Sequence, residues 1–531
     1  MEIILAGYNL DRELIARLTR IAKDAAAAGS AAPEASSSAD SVLDPDALTP
    51  ETLSAAYARI SRDPRPIPEL RRHAVSDVAR ARRSNRRIIF GFGHASVAEH
   101  AVFNFDILGL SRLAVEALEA SRLGSYTEKS QRYILLDRDS VIPPEIAGGP
   151  LEASFRELLE LQQSGYRRAY ERLAAHLQQT QPSRWGDDAG RQELEGAAKE
   201  DARYFLGLAT AGQLGATLNA RTLEATVRRL AADPLAEARE LGKRLYEAVA
   251  PVAPSLVRYT SPDPNRVETP EALCARLHAL ECGCDAAFED CPRTRARADG
   301  EQSADPGCGS RPEDPASFAP VRLVATTADA ETLLLAALLH GCVGISWEEA
   351  VGRVAKLAET AREALFVESL RRLSPHDLPL RAFELPVFTY ELVTSASCFA
   401  QLKRHRMATL LPQAYRPELG VTVPPAFREV GIVEEYAEVC RHSEALYDRI
   451  RVAAPHAAAY ALTNGHRRRV LFQANARELY HLARLRLDEH AQWDIRALAR
   501  VMIREARARF PLMMMLAMGK DEFVRGRGAG E

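Results

Sequence analysis

Apolar positions along the chain fall into two kinds of pattern. Alternation marks two short runs. Phe103, Phe105 and Ile107 fall on one face, and so do Phe388, Tyr390 and Leu392, as half-buried strands require. Helical spacing marks longer stretches. Residues 151–179 and 491–510 place apolar side chains at i, i+3 and i+4, which predicts long amphipathic helices. Strands are short and few, so the pattern predicts an α+β protein with helices predominating. Two stretches interrupt it. Residues 24–42 are Ala/Ser-rich and low in complexity, an expected disordered insertion. Residues 284–318 are rich in Pro, Gly, Asp and Arg and read as the main linker.

That linker leaves two parts of similar size, 1–283 and 319–531, which share landmarks in the same order. In both, the alternating run leads into a helical segment and then a turn. Arg122 to Arg132 is the same interval as Arg406 to Arg416. His94 and His376 lie upstream. Asn-Ala-Arg recurs downstream, at Asn219 and Asn475. The shared order predicts a tandem duplication of a domain of about 200 residues.

Composition narrows the class. The 531 residues are 47% apolar and 27% charged, as in a globular protein. A net charge of −3, from 69 basic and 72 acidic residues, and an aromatic content of 6% disfavour nucleic-acid binding. Local basic pockets for small phosphorylated ligands stay open. No run of about 18 apolar residues exists, so no membrane span is expected. The first residues, MEIILAGYNLDRELI, lack the features of a secretory signal, and a cytoplasmic location is expected. Cys274, Cys282, Cys284, Cys291 and Cys308 cluster, but their spacing matches zinc sites poorly and they read as incidental thiols.

Several motifs carry candidate chemistry. Arg404-His405-Arg406 closes a helical segment. It suits an anionic ligand, and it equally suits a basic helix C-terminus. Residues 125–132, Ser-Tyr-Thr-Glu-Lys-Ser-Gln-Arg, read as a turn that cradles phosphate or as a polar surface turn. Ser96 and Glu99 match a capping box, with His94 just outside it. His94, Glu99 and His100 make no credible metal site, and no metal is expected. There is no Walker loop, no Gly-x-Gly-x-x-Gly after a strand and no nucleophile elbow.

Together these elements resemble the flavin-dependent thymidylate synthases of the ThyX type. That family is marked by Gly-His-x-Ser/Thr-x-x-Glu-His, Phe-Thr-Phe, Arg-His-Arg followed by Ser-x-Arg-Tyr, Asn-Ala-Arg, and Leu-Arg-Leu-Asp-x-His-Ala-Gln-Trp. The resemblance covers about 80–250 and 320–520, hence two tandem ThyX-like domains. It implies FAD as cofactor, with methylenetetrahydrofolate and NADPH as co-substrates and dUMP as methyl acceptor. No enzyme nucleophile is implied.

The departures divide between the halves. The first has Ala120-Ser121-Arg122 in place of Arg-His-Arg and Leu230 in place of the late arginine, but keeps Glu128, Ser130, Gln131, Arg132 and Arg203. The second keeps Gln401, Arg404, His405, Arg406, Asn475, Arg477 and Arg486, but has Pro412 and Ala414 in the turn and Ala459 upstream. Family sites are assembled across subunits, so the resemblance implies one intact composite site and one degenerate site. It implies that Glu128, Ser130, Gln131, Arg132, Arg203, Gln401 and Arg404 bind dUMP and that Arg486 serves catalysis at the pyrimidine. His94, Ser96, Asn219, Arg221, Arg404, His405, Arg406, Asn475 and Arg477 would hold FAD, with His376 near the flavin. A homodimer would recreate the family's four-domain assembly. The alternatives are an inactive flavin- or nucleotide-binding homologue and a flavoenzyme acting on another uracil nucleotide.

Overall fold

The computed structural model describes residues 1–27, 45–136, 139–281 and 320–528. Most of the Ala/Ser-rich stretch and the linker, with Cys282, Cys284, Cys291 and Cys308, lie outside them. The helix Arg12–Ala27 runs into the start of the Ala/Ser-rich stretch, since alanine favours helix. Cys274 is exposed on a helix. Among the described residues no helix is long and apolar enough to cross a membrane.

The chain forms two compact units, one of Met1–Ser130, Asp139–Pro150 and Ala209–Gly309, the other of Gln131–Arg138, Leu151–Leu208 and Ser310–Glu531. The first contains an antiparallel sheet of β1 (Glu2–Tyr8), β2 (Val102–Ser111), β3 (Ser125–Glu128) and β4 (Ala211–Asn219), in the order β1-β2-β4-β3. The alternation in β2 does what its period requires, burying Phe103, Phe105 and Ile107 on one face. Residues 125–128 are a strand rather than a turn. Ser125 pairs with Thr217 and Glu128 with Leu214, which makes β3 a short edge of the sheet.

The second unit repeats that sheet with β5 (Val321–Thr326), β6 (Val387–Ser395), β7 (Thr409–Pro412) and β8 (Arg467–Asn475), in the order β5-β6-β8-β7. Phe388, Tyr390 and Leu392 are fully buried, each contributing about 1.5–3 kcal/mol. The helix Trp493–Arg509 covers them. Its Met502 carbonyl accepts from the Tyr390 hydroxyl at 3.0 Å, and Phe510 meets Phe388 edge-on at 5.7 Å.

This unit also takes in helices from earlier in the chain, Glu152–Thr180 and Asp188–Ala202. They build a second core with the helix Val433–Ala453, in which the Phe205 ring lies 5.4 Å from Phe427 and 5.0 Å from Tyr436. Residues 206–208 and 462–464 pair antiparallel beside this core. Leu208 N donates to Leu462 O and Asn464 N to Leu206 O, both at 2.8 Å, with Gly207 opposite Thr463.

Candidate active site

Each sheet hands its chain to a helix through a side-chain cap. Ser111 accepts from Ala114 N ahead of Arg112–Glu119, and Ser395 accepts from Cys398 N ahead of Ala396–Leu402. Asn219 and Asn475 do the same after β4 and β8, accepting from Thr222 N and Glu478 N at 2.8 Å. The recurrent Asn-Ala-Arg is therefore a helix start, in which each asparagine satisfies an orphan amide, an interaction worth about 1 kcal/mol.

In the second unit, Lys403 ends the short helix Ala396–Leu402, and the chain runs on through Arg404, His405 and Arg406. Arg404 and Arg406 are exposed, while His405 is buried. Arg486, at the end of the helix Ala476–Arg486, donates from Nη2 to Gln401 O at 3.0 Å and from Nε to His405 Nε2 at 3.1 Å. His405 Nδ1 lies 2.9 Å from Glu478 Oε1. Because Nε2 accepts, Nδ1 carries the proton and donates to the carboxylate. Burial, helped by Arg486 and opposed by Glu478, pushes the imidazole pKa below its ordinary value, so His405 is neutral at pH 7.

Potential ligand atoms of His405, Glu478 and His481 lie within 4.8 Å of one another. With both His405 nitrogens engaged, one by a guanidinium, this cluster is a poor cation site.

Burial first, then the neighbouring Arg404 and Arg132, push the Arg486 pKa down to about 10. The guanidinium stays charged at neutral pH. Three arginines thus share one small region, two from the second half of the chain and one from the first. Arg132 is held there by an ion pair with Glu200 and by donation to His490 O at 3.3 Å.

A relay of buried polar groups also joins sequence-distant parts of the unit. Gln401 Nε2 reaches Gln492 Oε1 at 3.3 Å, and Gln492 Nε2 donates to the Tyr204 hydroxyl at 3.1 Å. Tyr204 donates to Asp494 Oδ2 at 2.8 Å, and Ser395 donates to the same oxygen at 2.6 Å. The Trp493 ring stacks on Tyr204 at 5.6 Å while its Nε1 donates to Asp201 Oδ1 at 2.7 Å. Arg203 is buried beside this relay. Burial raises the Asp494 pKa, opposed by the hydrogen bonds from Ser395 and Tyr204 and by the charges of Arg467 and Arg203. Cys398 is buried too, and burial raises its pKa well above the ordinary value, so it stays a thiol.

The structure thus brings Gln131, Arg132, Arg203, Gln401, Arg404, His405 and Arg486 into one compact unit. Glu128 and Ser130 fall in the other, where Glu128 accepts from Arg112 Nη1 at 2.8 Å. Arg221 pairs with Glu99 at 2.6 Å. Arg477 donates to Pro379 O at 2.8 Å and pairs with Glu384 at 3.2 Å. The expected capping box does not form. Ser96 is exposed inside the 3-10 turn Ala95–His100, His94 precedes that turn without capping it, and Glu99 is taken by Arg221. His94 and His376 are exposed. Tyr204, Asp494 and Glu478 were not singled out by sequence, because their roles arise from contacts between distant segments.

Each unit thus holds a four-stranded antiparallel sheet of the same strand order with side-chain-capped helices, and the second also gathers arginines. Residues 45–255 and 322–512 both match the model of the thymidylate synthase complementing protein family, and the chain belongs to that family. A flavin-dependent thymidylate synthase of Clostridium tetani is 32% identical over 239 residues, 44% of this chain and 89% of that relative. A UPF0159 protein of Thermoplasma acidophilum is 22% identical over 499 residues, 86% of this chain and 92% of the relative. Among solved structures, a UMP/dUMP methylase from Streptomyces cacaoi, bound with 5-Br dUMP, covers 38% of this chain and 95% of its own at 18% identity and a TM-score of 0.31.

Proposed function

We propose that the protein is a flavin-dependent thymidylate synthase with one composite site built from both halves of a duplicated chain. Two matches to one family model, in sequence order, support the duplication. So does the pairing of 206–208 with 462–464, which lie at equivalent distances before Asn219 and Asn475 and bond to each other reciprocally. The observation that carries the site is the gathering of Arg132, Arg404 and Arg486. Arg404 and Arg132 place like charge beside Arg486, an anion offsets such a gathering, and a nucleotide monophosphate is the anion this family reading supplies.

In this reading Gln131, Arg132 and Arg203, from the first half, hold the phosphate and ribose of dUMP, with Glu128 and Ser130 in the chain just upstream. Gln401 and Arg404 face the nucleotide from the second half. Arg486 stabilises the negative charge that develops on the pyrimidine as C5 attacks the methylene of methylenetetrahydrofolate. His405 accepts from Arg486 Nε and donates to Glu478, which fixes the guanidinium for that task. Cys398 stays a thiol, in keeping with a reaction that needs no enzyme nucleophile.

The donors present fit FAD. Arg404 and Arg406 are exposed cations beyond a helix C-terminus, suited to a pyrophosphate, and the segment from Asn475 to Arg477 starts the neighbouring helix. Within the first unit His94, Ser96, Asn219 and Arg221 are the corresponding candidates. Bound FAD, once reduced by NADPH, supplies hydride. A homodimer would give the four ThyX-like domains of the family assembly.

The test is incubation of purified protein with dUMP, methylenetetrahydrofolate, FAD and NADPH. Formation of dTMP supports the proposal. A yellow, flavin-bound protein that makes no dTMP would move the reading to a binding homologue or to another uracil nucleotide.

A further inference from the structure

One buried residue ties the two halves of the composite site together, although nothing in the chain's motifs marks it. Asn464 is 1% exposed. Its backbone N–H pairs with Leu206 O at 2.8 Å, leaving its side chain to do something else. The Nδ2 group donates to Arg203 O at 3.0 Å and to Gln131 Oε1 at 3.3 Å. The Arg203 carbonyl can only accept, so the amide must turn its NH2 toward it. Among the described residues Asn464 Oδ1 then has no partner. A buried amide with an unmet acceptor destabilises the fold, so packing alone is a poor reason to keep it.

The first half supplies the contrast. Gly207 sits opposite Thr463, so the residue equivalent to Asn464 is Leu208. The half of the chain that lost the Arg-His-Arg element carries the apolar residue. The half that kept it carries the asparagine, and that asparagine reaches the Gln131 turn retained by the other half.

We infer that Asn464 is a positioning residue. From the second half it holds the Gln131 side chain and the Arg203 backbone, and so aligns the phosphate-binding elements of the first half with the arginines of the second. This rests on the assignment of Gln131 and Arg203 to dUMP. Leucine is the natural test substitution, because the first half already accommodates it at the equivalent place.

The experiment is titration of the flavin-loaded full-length protein with dUMP, for Asn464→Leu, Gln131→Leu and the double variant, with melting temperatures recorded alongside. Asn464→Leu should weaken dUMP binding about tenfold with flavin content unchanged. The double variant should bind less weakly than the product of the two single effects predicts, because both substitutions break the shared Gln131–Asn464 linkage, while the loss at Arg203 O belongs to Asn464 alone. Wild-type dUMP affinity in Asn464→Leu, with or without a lowered melting temperature, overturns the inference, as do effects that multiply in the double variant. Wild-type affinity in Gln131→Leu overturns the assignment of the turn as well, which separates the two failures.

Discussion

The helix ends Arg112–Glu119 and Ala396–Leu402 begin alike and finish differently. Each follows the second strand of its sheet, and each starts on a serine cap. In the first, charge is settled locally. Arg112 pairs with Glu128 at 2.8 Å, and Glu237 accepts from Ser111 Oγ at 2.6 Å. Beyond the helix, Ser121 meets Thr226 at 2.7 Å and accepts from Arg229 at 3.0 Å. In the second, His405 stands where the first has Ser121, its partner is Glu478 at the position equivalent to Thr222, and Arg486 lies near two further arginines. The backbone is shared, so chemistry is assigned by a few side chains past the helix end. A fold match therefore says little about what either half contributes.

The sharpest way to break this comparison is to remove Arg486. Arg486→Ala should lower the rate of dTMP formation about 100- to 1,000-fold while the protein keeps its flavin absorbance. An unchanged rate would end the assignment of Arg486 to the pyrimidine. Next comes a matched pair. Arg132→Ala should raise the Kd for dUMP about 10- to 100-fold, since a charge-assisted contact to phosphate is lost. Arg416→Ala, its exposed counterpart in the second half, should change the Kd by no more than about twofold. Equal effects would show that both turns serve substrate.

The histidine gives a pH test. The folded pKa of His405 lies below the ordinary value of 6.5, so as pH falls below 6.5 the unfolded chain takes up the proton first. Stability is fully present above that pH and is lost below it. Protonation also removes the acceptor for Arg486, so activity should fall on the same acid limb. Glutamine can accept from Arg486 and donate to Glu478 without titrating. His405→Gln should flatten the acid limb, and a limb of unchanged shape would count against His405 as its origin.

The smallest effect expected is at Asp201, which burial pushes up to about 7 against the hydrogen bond from Trp493. The unfolded chain loses this proton near 3.8, so the carboxyl subtracts stability as pH rises from 3.8 toward 7. Asp201→Asn keeps an acceptor for Trp493. Its melting temperature should exceed that of the wild type by a few degrees at pH 7 and match it at pH 4. A constant difference across that range would place the cause elsewhere.

The legible parts of the sequence were those with a period or a repeat. Phe103, Phe105, Ile107 and their counterparts Phe388, Tyr390, Leu392 announced buried strand faces, and the helical spacing of 151–179 and 491–510 matches Glu152–Thr180 and Trp493–Arg509. Residues 125–128 were harder. Their strand identity comes from β4, nearly ninety residues away in the chain, and a local window holds no trace of that pairing. Asn-Ala-Arg was visible as a repeat, yet the asparagine shows itself as a cap only once the strand-to-helix junction is seen. Arg132 and Arg486 stood out by motif. Tyr204, Asp494 and Asn464 did not, because each acts through a partner hundreds of positions distant.

Gly207 and Thr463 carry a consequence for inheritance. A β-carbon on Gly207 would collide with the Gln162 side chain, whereas Thr463 has one and bonds through it to His466 at 2.9 Å. Two identical subunits meeting here would have to carry the same residue on both sides, because one codon writes both. In a single chain two codons write them, and a change on one side need not be tolerated by its mirror image. A single chain can therefore alter one side of this pairing and leave the other as it is.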